Sequence, residues 1–381
     1  MKEHSIKQKF AILSISLILT SNSIISGSLV YIQEAFNLTR SEAEFIISLS
    51  SLAVMIFIFL AEYLAIFIGI KNTVLLGLLL VGFSGIIPLV FRTYLSIIIS
   101  RFLLGSGLGL FNGHSANYIN LLYHDNNERT KLHGLRNAFE FIGQIILFTL
   151  AGILVKVDYM YTFSLYTSAF LIFIFFKINV EDVKIEKEKA KINFDSNIFL
   201  FIIFAMLMIL NGTAMLMRFP FVASQSRGID VNVSFYLNFV PIVGMISAFL
   251  FTPINLRLRE KTIFFGLGFF ILANFLIVNF EKNLLGFLFS ILLLTFGQSM
   301  CMPYIFAEVP RFVKGHSSRI ATNLIFIGCN VGVFLAPFFM KSMDKLINTN
   351  SLSQGFGGFV IIYFIFVGIF FRRNKKRIPR K

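Results

Sequence analysis

SRFLLGSGLGLFNGHSANY, Ser100 to Tyr118, is the stretch whose reading decides the fold: one arginine and a ladder of glycines inside an otherwise apolar run. At helical spacing Arg101, Gly105, Gly109 and Gly113 recur every four residues, so three positions without side chains form a groove leading away from one charge. A second helix can approach closely along it. At about 100° per residue, Asn112 and Ser115 lie within about 40° of the direction of Arg101, whereas His114 points away, as a packed residue would. Arginine at the depth of lipid costs roughly 3 kcal/mol or more, so Arg101 is expected to face protein or a wet cavity.

The whole chain agrees with that reading. Of 381 residues, 56% are hydrophobic and 14% charged, against about 25% charged in an average soluble domain. This composition is that of an integral membrane protein whose partner is the lipid bilayer. The net charge of +15 comes from basic residues spread over short polar segments and the C-terminal tail, a distribution that does not fit nucleic-acid binding. Cys301 and Cys329 both fall in apolar runs, so neither a disulfide framework nor a zinc site is supported, and no metal or other cofactor is expected. Paired acids, a Ser/His/Asp set and a phosphate loop are all missing, which argues against an enzyme. GSGLG lies inside a span with no strand before it and is no nucleotide loop.

Six apolar runs of spanning length come first: Phe10 to Ile32, Glu44 to Ile66, Thr73 to Phe91, Tyr94 to Tyr118, Gly134 to Val155 and Tyr159 to Phe176. The first is long enough to span and is followed by no small-residue cleavage site, so it reads as a retained helix. INVEDVKIEKEKAKINFDSN, Ile178 to Asn197, is too polar for hydrocarbon and reads as a linker. Six more runs follow it: Ile198 to Phe219, Val233 to Ile254, Thr262 to Phe280, Leu284 to Phe306, Ile320 to Met340 and Phe356 to Phe371. The expected organisation is therefore an all-α protein of twelve transmembrane helices, with one six-helix half over 1–177, a cytoplasmic linker over 178–197, and a second half with a basic tail over 198–381. Most Lys and Arg residues fall on the side that holds the linker and both ends, so both termini are expected in the cytoplasm.

The halves echo each other at a shift of 189 or 190 residues: TVLLGLLLVGF at Thr73 to Phe83 against TIFFGLGFFIL at Thr262 to Leu272, and Arg129 against Arg319. Internal repeats of this kind favour a transporter with its site between the repeats. SRFLLGSGLGLFNG, on the fourth of twelve spans, resembles the helix-four signature of the major facilitator superfamily, nearest its drug/proton antiporter branch. ERTKLHGL, Glu128 to Leu135, resembles that family's loop between helices four and five. AEVPRFVKGHSSR, Ala307 to Arg319, resembles the loop between ten and eleven. Between helices two and three, EYLAIFIGIK keeps Leu64, Ala65, Gly69 and Lys71 of the family's motif but places Ile66 and Phe67 where it has an acid and an arginine. Glu62, one turn earlier, is an alternative acid that could pair with Arg129 or Arg136 or simply reach the inner surface. Glu62, Gly69, Lys71, Arg129, Glu308 and Arg319 are thus the expected cytoplasmic gating residues.

For solute and coupling chemistry the candidates are Arg101, Asn112, Ser115, Arg136, Glu140 and Gln144. Arg136, Glu140 and Gln144 share one helical face, and Glu140 reads as the acid set well inside a span. A carboxyl that moves between dry and wet surroundings can take up and release a proton; the alternative is a static ion pair with Arg136. Arg101 has three readings: solute recognition, proton movement as the resemblance implies, or bracing of the first span through backbone carbonyls, with Ser16, Thr20, Ser23 and Gly27 facing it. The second half offers amides, including Asn211, Asn238, Asn274, Gln298, Asn323 and Asn330, and no deeply placed acid. What the resemblance implies is a monomeric secondary transporter in the cell membrane, moving a small solute by alternating access. Proton-coupled efflux is its leading form, with a uniporter or symporter for an organic anion or sugar as the rival and a non-transporting sensor as the remote one.

Overall fold

The computed structural model describes residues 6–123, 125–182, 196–280, 283–313 and 316–377. Among them every regular element is a helix. In order these are α1 (Ile6–Ser14), α2 (Leu29–Ala35), α3 (Arg40–Phe91), α4 (Tyr94–Leu122), α5 (Asn126–Leu154), α6 (Ser168–Asn179), α7 (Ser196–Arg227), α8 (Val233–Leu237), α9 (Phe239–Leu258), α10 (Thr262–Asn279), α11 (Leu284–Phe312), α12 (His316–Ile347) and α13 (Gly357–Arg377), joined in places by 3-10 turns.

Ten helical stretches are long and apolar enough to cross a membrane. Two of them, Arg40–Phe91 with 52 residues and Val233–Asn279 with 47, run to roughly 70–80 Å at 1.5 Å per residue, which is two crossings of a core about 30 Å thick. Each breaks in the middle. In α3 the break is Gly69, whose backbone (φ 83, ψ 158) leaves the helical region; between α9 and α10 it is the 3-10 turn Arg259–Lys261, with Arg259 at φ 49. Counting each as two crossings accommodates twelve.

The first span is where local sequence most changes the expected helix. SISLILTSNSIISGS is dense in short hydroxyls that compete for backbone groups: Ser14 Oγ donates to the Ala11 carbonyl and Ser23 Oγ to that of Thr20. The run accordingly tightens into two 3-10 segments, Ile15–Ile18 and Ser21–Ser28, between α1 and α2. The sixth span does the same over Tyr159–Thr167, with Thr162, Ser164 and Thr167 hydroxyls bonded back to carbonyls three residues earlier.

Two expected loops are largely helical. Glu128 to Leu135 forms the first turns of α5, because the Asp125 carboxylate accepts from the Glu128 N–H at 2.8 Å and caps the helix early. Within Ala307 to Arg319, α11 runs on to Phe312 and α12 begins at His316. Most of the expected linker, 183–195, lies outside the described residues.

Two compact units emerge, one over Met1–Glu188 and Asn232–Pro241, the other over Lys189–Val231 and Ile242–Lys381. Asn232–Pro241, which carries α8, thus groups with the first unit although it follows α7 in the chain. There Asn232 Nδ2 donates to the Gly152 carbonyl at 3.1 Å, and Asn238 Nδ2 to Thr149 Oγ1 at 3.1 Å. In the first unit α3 and α4 are the central pair. The groove predicted on α4 forms at two of its three glycines: a side chain at Gly105 would collide with the Ser50 carbonyl, and a Cβ on Gly109 would lie 2.8 Å from both Phe57 Cβ and the Val54 carbonyl. Gly113 is the correction. It is exposed with nothing within 4 Å of a built Cβ, so the groove does not extend to that position.

Candidate solute and coupling sites

Arg101 is fully buried. Its Nε donates to the Ile46 carbonyl (3.1 Å), Nη1 to the Tyr166 hydroxyl (3.0 Å), and Nη2 to the carbonyls of Asn22 (2.9 Å) and Ile47 (3.3 Å), to Ser50 Oγ (2.8 Å) and to Asn22 Oδ1. The six acceptors engage all three nitrogens of the guanidinium. Each acceptor is neutral. The chain can offer them because the first and sixth spans are 3-10 at this depth: Asn22 and Tyr166 both stand on those segments, and the Asn22 carbonyl is turned toward α4. Of the three readings the sequence left open for Arg101, the geometry forms the brace. Its main partner is Asn22, which the sequence reading passed over in favour of Ser16, Thr20, Ser23 and Gly27; the only signal was a lone amide among hydroxyls.

Further along α4 the polar face does hold together. Ser115 is buried and accepts from Arg136 Nε of α5 at 3.0 Å, while its own hydroxyl donates to the Asn112 carbonyl at 2.8 Å. Arg136 Nη1 also donates to Asn137 Oδ1 at 3.4 Å. Arg136 therefore forms no contact ion pair with Glu140 or Glu62, contrary to two of the pairings considered above, since its guanidinium is turned across to α4. Glu140, half-buried, makes no hydrogen bond and no ion pair within 4.0 Å among the described residues. Gln144 and Asn112 are half-buried as well. His114 is buried, with Nε2 3.4 Å from the Ala61 carbonyl of α3, the packed position its angle predicted.

At the ends of the helices the gating candidates divide. The Lys71 N–H donates to Asp182 Oδ1 at 3.1 Å, and the same carboxylate fills the space a side chain at Gly69 would need. The acid missing from the loop between the second and third spans is thus supplied to its backbone from beyond α6. Glu62 is exposed. Lys9 Nζ sits 2.5 Å from Glu128 and 5.6 Å from the Tyr123 ring centroid, and burial, then the Glu128 charge, pushes the Tyr123 phenol up to about 12. Glu308 is buried and pairs with Arg311 at 2.6 Å. The side chains of Arg129 and Arg319 lie outside the described residues.

The second unit also buries an acid close to a helix end. Arg218 of α7, 1% exposed, pairs with Asp344 of α12 through Nη2–Oδ2 at 2.5 Å and Nη1–Oδ1 at 3.2 Å, with the Leu352 carbonyl also accepting from Nη1 at 3.2 Å. Asp344 escaped notice because α12 continues to Ile347 rather than ending near Met340. Glu44 and Glu308 are also buried, each near an end of its helix, whereas Glu140 lies at the middle of α5. The amides of this unit are partly consumed: Asn211 and Asn274, both fully buried, donate to each other at 2.9 and 2.8 Å, and the Tyr363 hydroxyl donates to Asn211 Oδ1 at 3.2 Å.

The profile of the Major Facilitator Superfamily matches residues 11–337. No curated protein matches by sequence. Among solved structures, the peptide transporter PepTSo of the POT family superposes with a TM-score of 0.79 at 11% identity, covering 97% of this chain and 98% of that one. A mutant of the nucleoside transporter NupG gives 0.77 at 13% identity, covering 96% and 100%. The D-xylose-proton symporter gives 0.73 at 16% identity, covering 95% and 97%. Identities this low speak for the fold.

Proposed function

The chain belongs to the major facilitator superfamily, a family of membrane transporters and not of enzymes, and from that premise we propose that it is a proton-coupled secondary transporter in which Glu140 is the coupling carboxylate. The observation that carries this reading is the pairing pattern on α5: Arg136 is engaged by Ser115, one turn away from a half-buried Glu140 that has no bonded partner among the described residues. A carboxylate in such a place shifts its proton affinity whenever its hydration changes, and alternating access changes hydration on every cycle. A carboxylate locked into an ion pair would resist that exchange. Arg136 supplies the nearby positive charge, and Asn112, Ser115 and Gln144 supply hydrogen-bonding groups for a small polar solute on the same side. Arg101 acts as a brace that keeps the first span against α4.

Efflux is the proposed direction, from the likeness of the fourth-span signature to the drug/proton antiporters. Symport is the second reading, favoured by the shared fold of the D-xylose-proton symporter. The protein acts in the cell membrane with both termini in the cytoplasm. A solute panel on proteoliposomes, with and without an imposed pH gradient, tests the whole reading: solute and proton flux should appear together, and their relative direction separates efflux from symport. Solute movement with no proton flux under any gradient overturns it.

A further inference from the structure

In the second unit, α9, α10, α11 and α13 leave a pocket of about 1200 Å³, larger than the roughly 300–1,000 Å³ of most small-ligand sites. Its walls are of two kinds. Leu256, Phe264 and Phe371 line it from apolar helix ends, and Leu256 and Phe371 are 71% and 64% exposed. Arg259, Lys261 and Arg311 line it from the polar ends of the same elements. The pocket sits where spanning sequence gives way to charge, since α13 passes from Phe371 directly to Arg372 and Arg373.

Two of the three cations are unspent. Arg311 is neutralised by Glu308 at 2.6 Å, but Arg259 and Lys261 are exposed and their side chains form no ion pair or hydrogen bond among the described residues. Glu260 also lines the pocket, leaving its lining with a net positive charge. Arg259 further holds a left-handed backbone at φ 49. The other arginine with positive φ, Arg92, has its side chain paired with Asp158 at 2.5 Å; among the described residues the Arg259 side chain has no such partner to offset its strain, which suits a residue placed to meet a bound group.

A pocket with exposed apolar walls on the lipid side and free cations at its polar edge matches an amphiphile with the opposite ends. We propose that it binds an anionic phospholipid, the phosphate held between Arg259 and Lys261 and the acyl chains lying along Leu256 and Phe371. The inference does not depend on what is transported or in which direction.

The test uses the full chain in detergent, following the thermal unfolding midpoint as phosphatidylglycerol, phosphatidylcholine or inorganic phosphate is titrated in. Phosphatidylglycerol should raise the midpoint well beyond the effect of phosphatidylcholine. In the double variant Arg259→Gln, Lys261→Gln its half-effective concentration should rise roughly thirtyfold, two interfacial charges each being worth about a fivefold factor. Both side chains are exposed, so the variant should keep the lipid-free midpoint, which separates lost binding from lost folding. Equal effects of the two lipids, an unchanged half-effective concentration in the variant, or the full shift with inorganic phosphate alone would each overturn the lipid assignment, the last in favour of a free-anion site.

Discussion

Gly77 of α3 and Gly107 of α4 meet backbone to backbone: a Cβ on Gly77 would stand 2.7 Å from the Gly107 carbonyl oxygen, and one on Gly107 would collide with the Gly77 carbonyl. Gly266 of α10 and Gly297 of α11, 189 and 190 residues later, repeat the contact inside the second unit, with built Cβ atoms 3.0 and 2.9 Å from the opposing carbonyls. The repeat seen in the sequence therefore carries one packing device twice. Without a hydrophobic driving force between helices in lipid, such close approach is a main source of association.

Gly107→Ala should consequently lower stability by about 1–3 kcal/mol through overpacking against backbone that cannot rotate away. Gly109→Leu should abolish transport, with Gly109→Ala less severe. Gly113→Ala, where a Cβ meets nothing, is the neutral control. Thermal unfolding of the four purified variants, with a transport assay for the two at Gly109, decides; a Gly107→Ala protein as stable as the Gly113→Ala one would remove the argument.

Asn22→Ala takes away one of the side-chain acceptors of Arg101 and should cost roughly 1.5–3 kcal/mol, the usual range for a hydrogen bond to a charged group. Arg101→Lys should be at least as harmful, because an ammonium has three donors and cannot reach acceptors on three separate segments. Unfolding midpoints and the yield of monodisperse protein are the readouts. An Asn22→Ala protein with unaltered stability would show that the brace is not needed.

Breaking the Arg218–Asp344 pair from one side leaves a buried charge uncompensated, so Asp344→Asn should destabilise by roughly 3–5 kcal/mol. Arg218→Met with Asp344→Leu removes the pair whole and should recover much of that loss. A double variant less stable than Asp344→Asn alone would mean the pair is worth more than its desolvation.

Glu140→Gln keeps shape and hydrogen bonding but cannot titrate. Concentrative transport under a pH gradient should fail while exchange of solute down its own gradient survives. Adding Arg136→Gln should not restore concentrative transport, since Arg136 bonds Ser115 and not Glu140. A Glu140→Gln protein that still concentrates solute removes the coupling role.

Cysteine tagging at Lys187→Cys should report access from the cytoplasmic side only, with Cys301 and Cys329 buried and silent. Labelling from outside intact cells would reverse the proposed orientation.

Length and composition of the apolar runs determined the membrane class, the near-regular series of spans and the burial of Arg101, because the cost of exposing backbone or charge to lipid is paid residue by residue and is readable locally. The repeat was legible for the same reason. What closes each charge was not. The sequence could not say that Arg101 would find Asn22, that Arg136 would turn to Ser115 rather than to Glu140, that Arg218 would meet Asp344 across 126 residues, or that Asp182 would reach the Lys71 backbone. Those pairings depend on where a 3-10 segment rotates a carbonyl and which face of a helix a neighbour covers; they are settled by packing between distant segments, for which no single stretch of sequence carries the geometry.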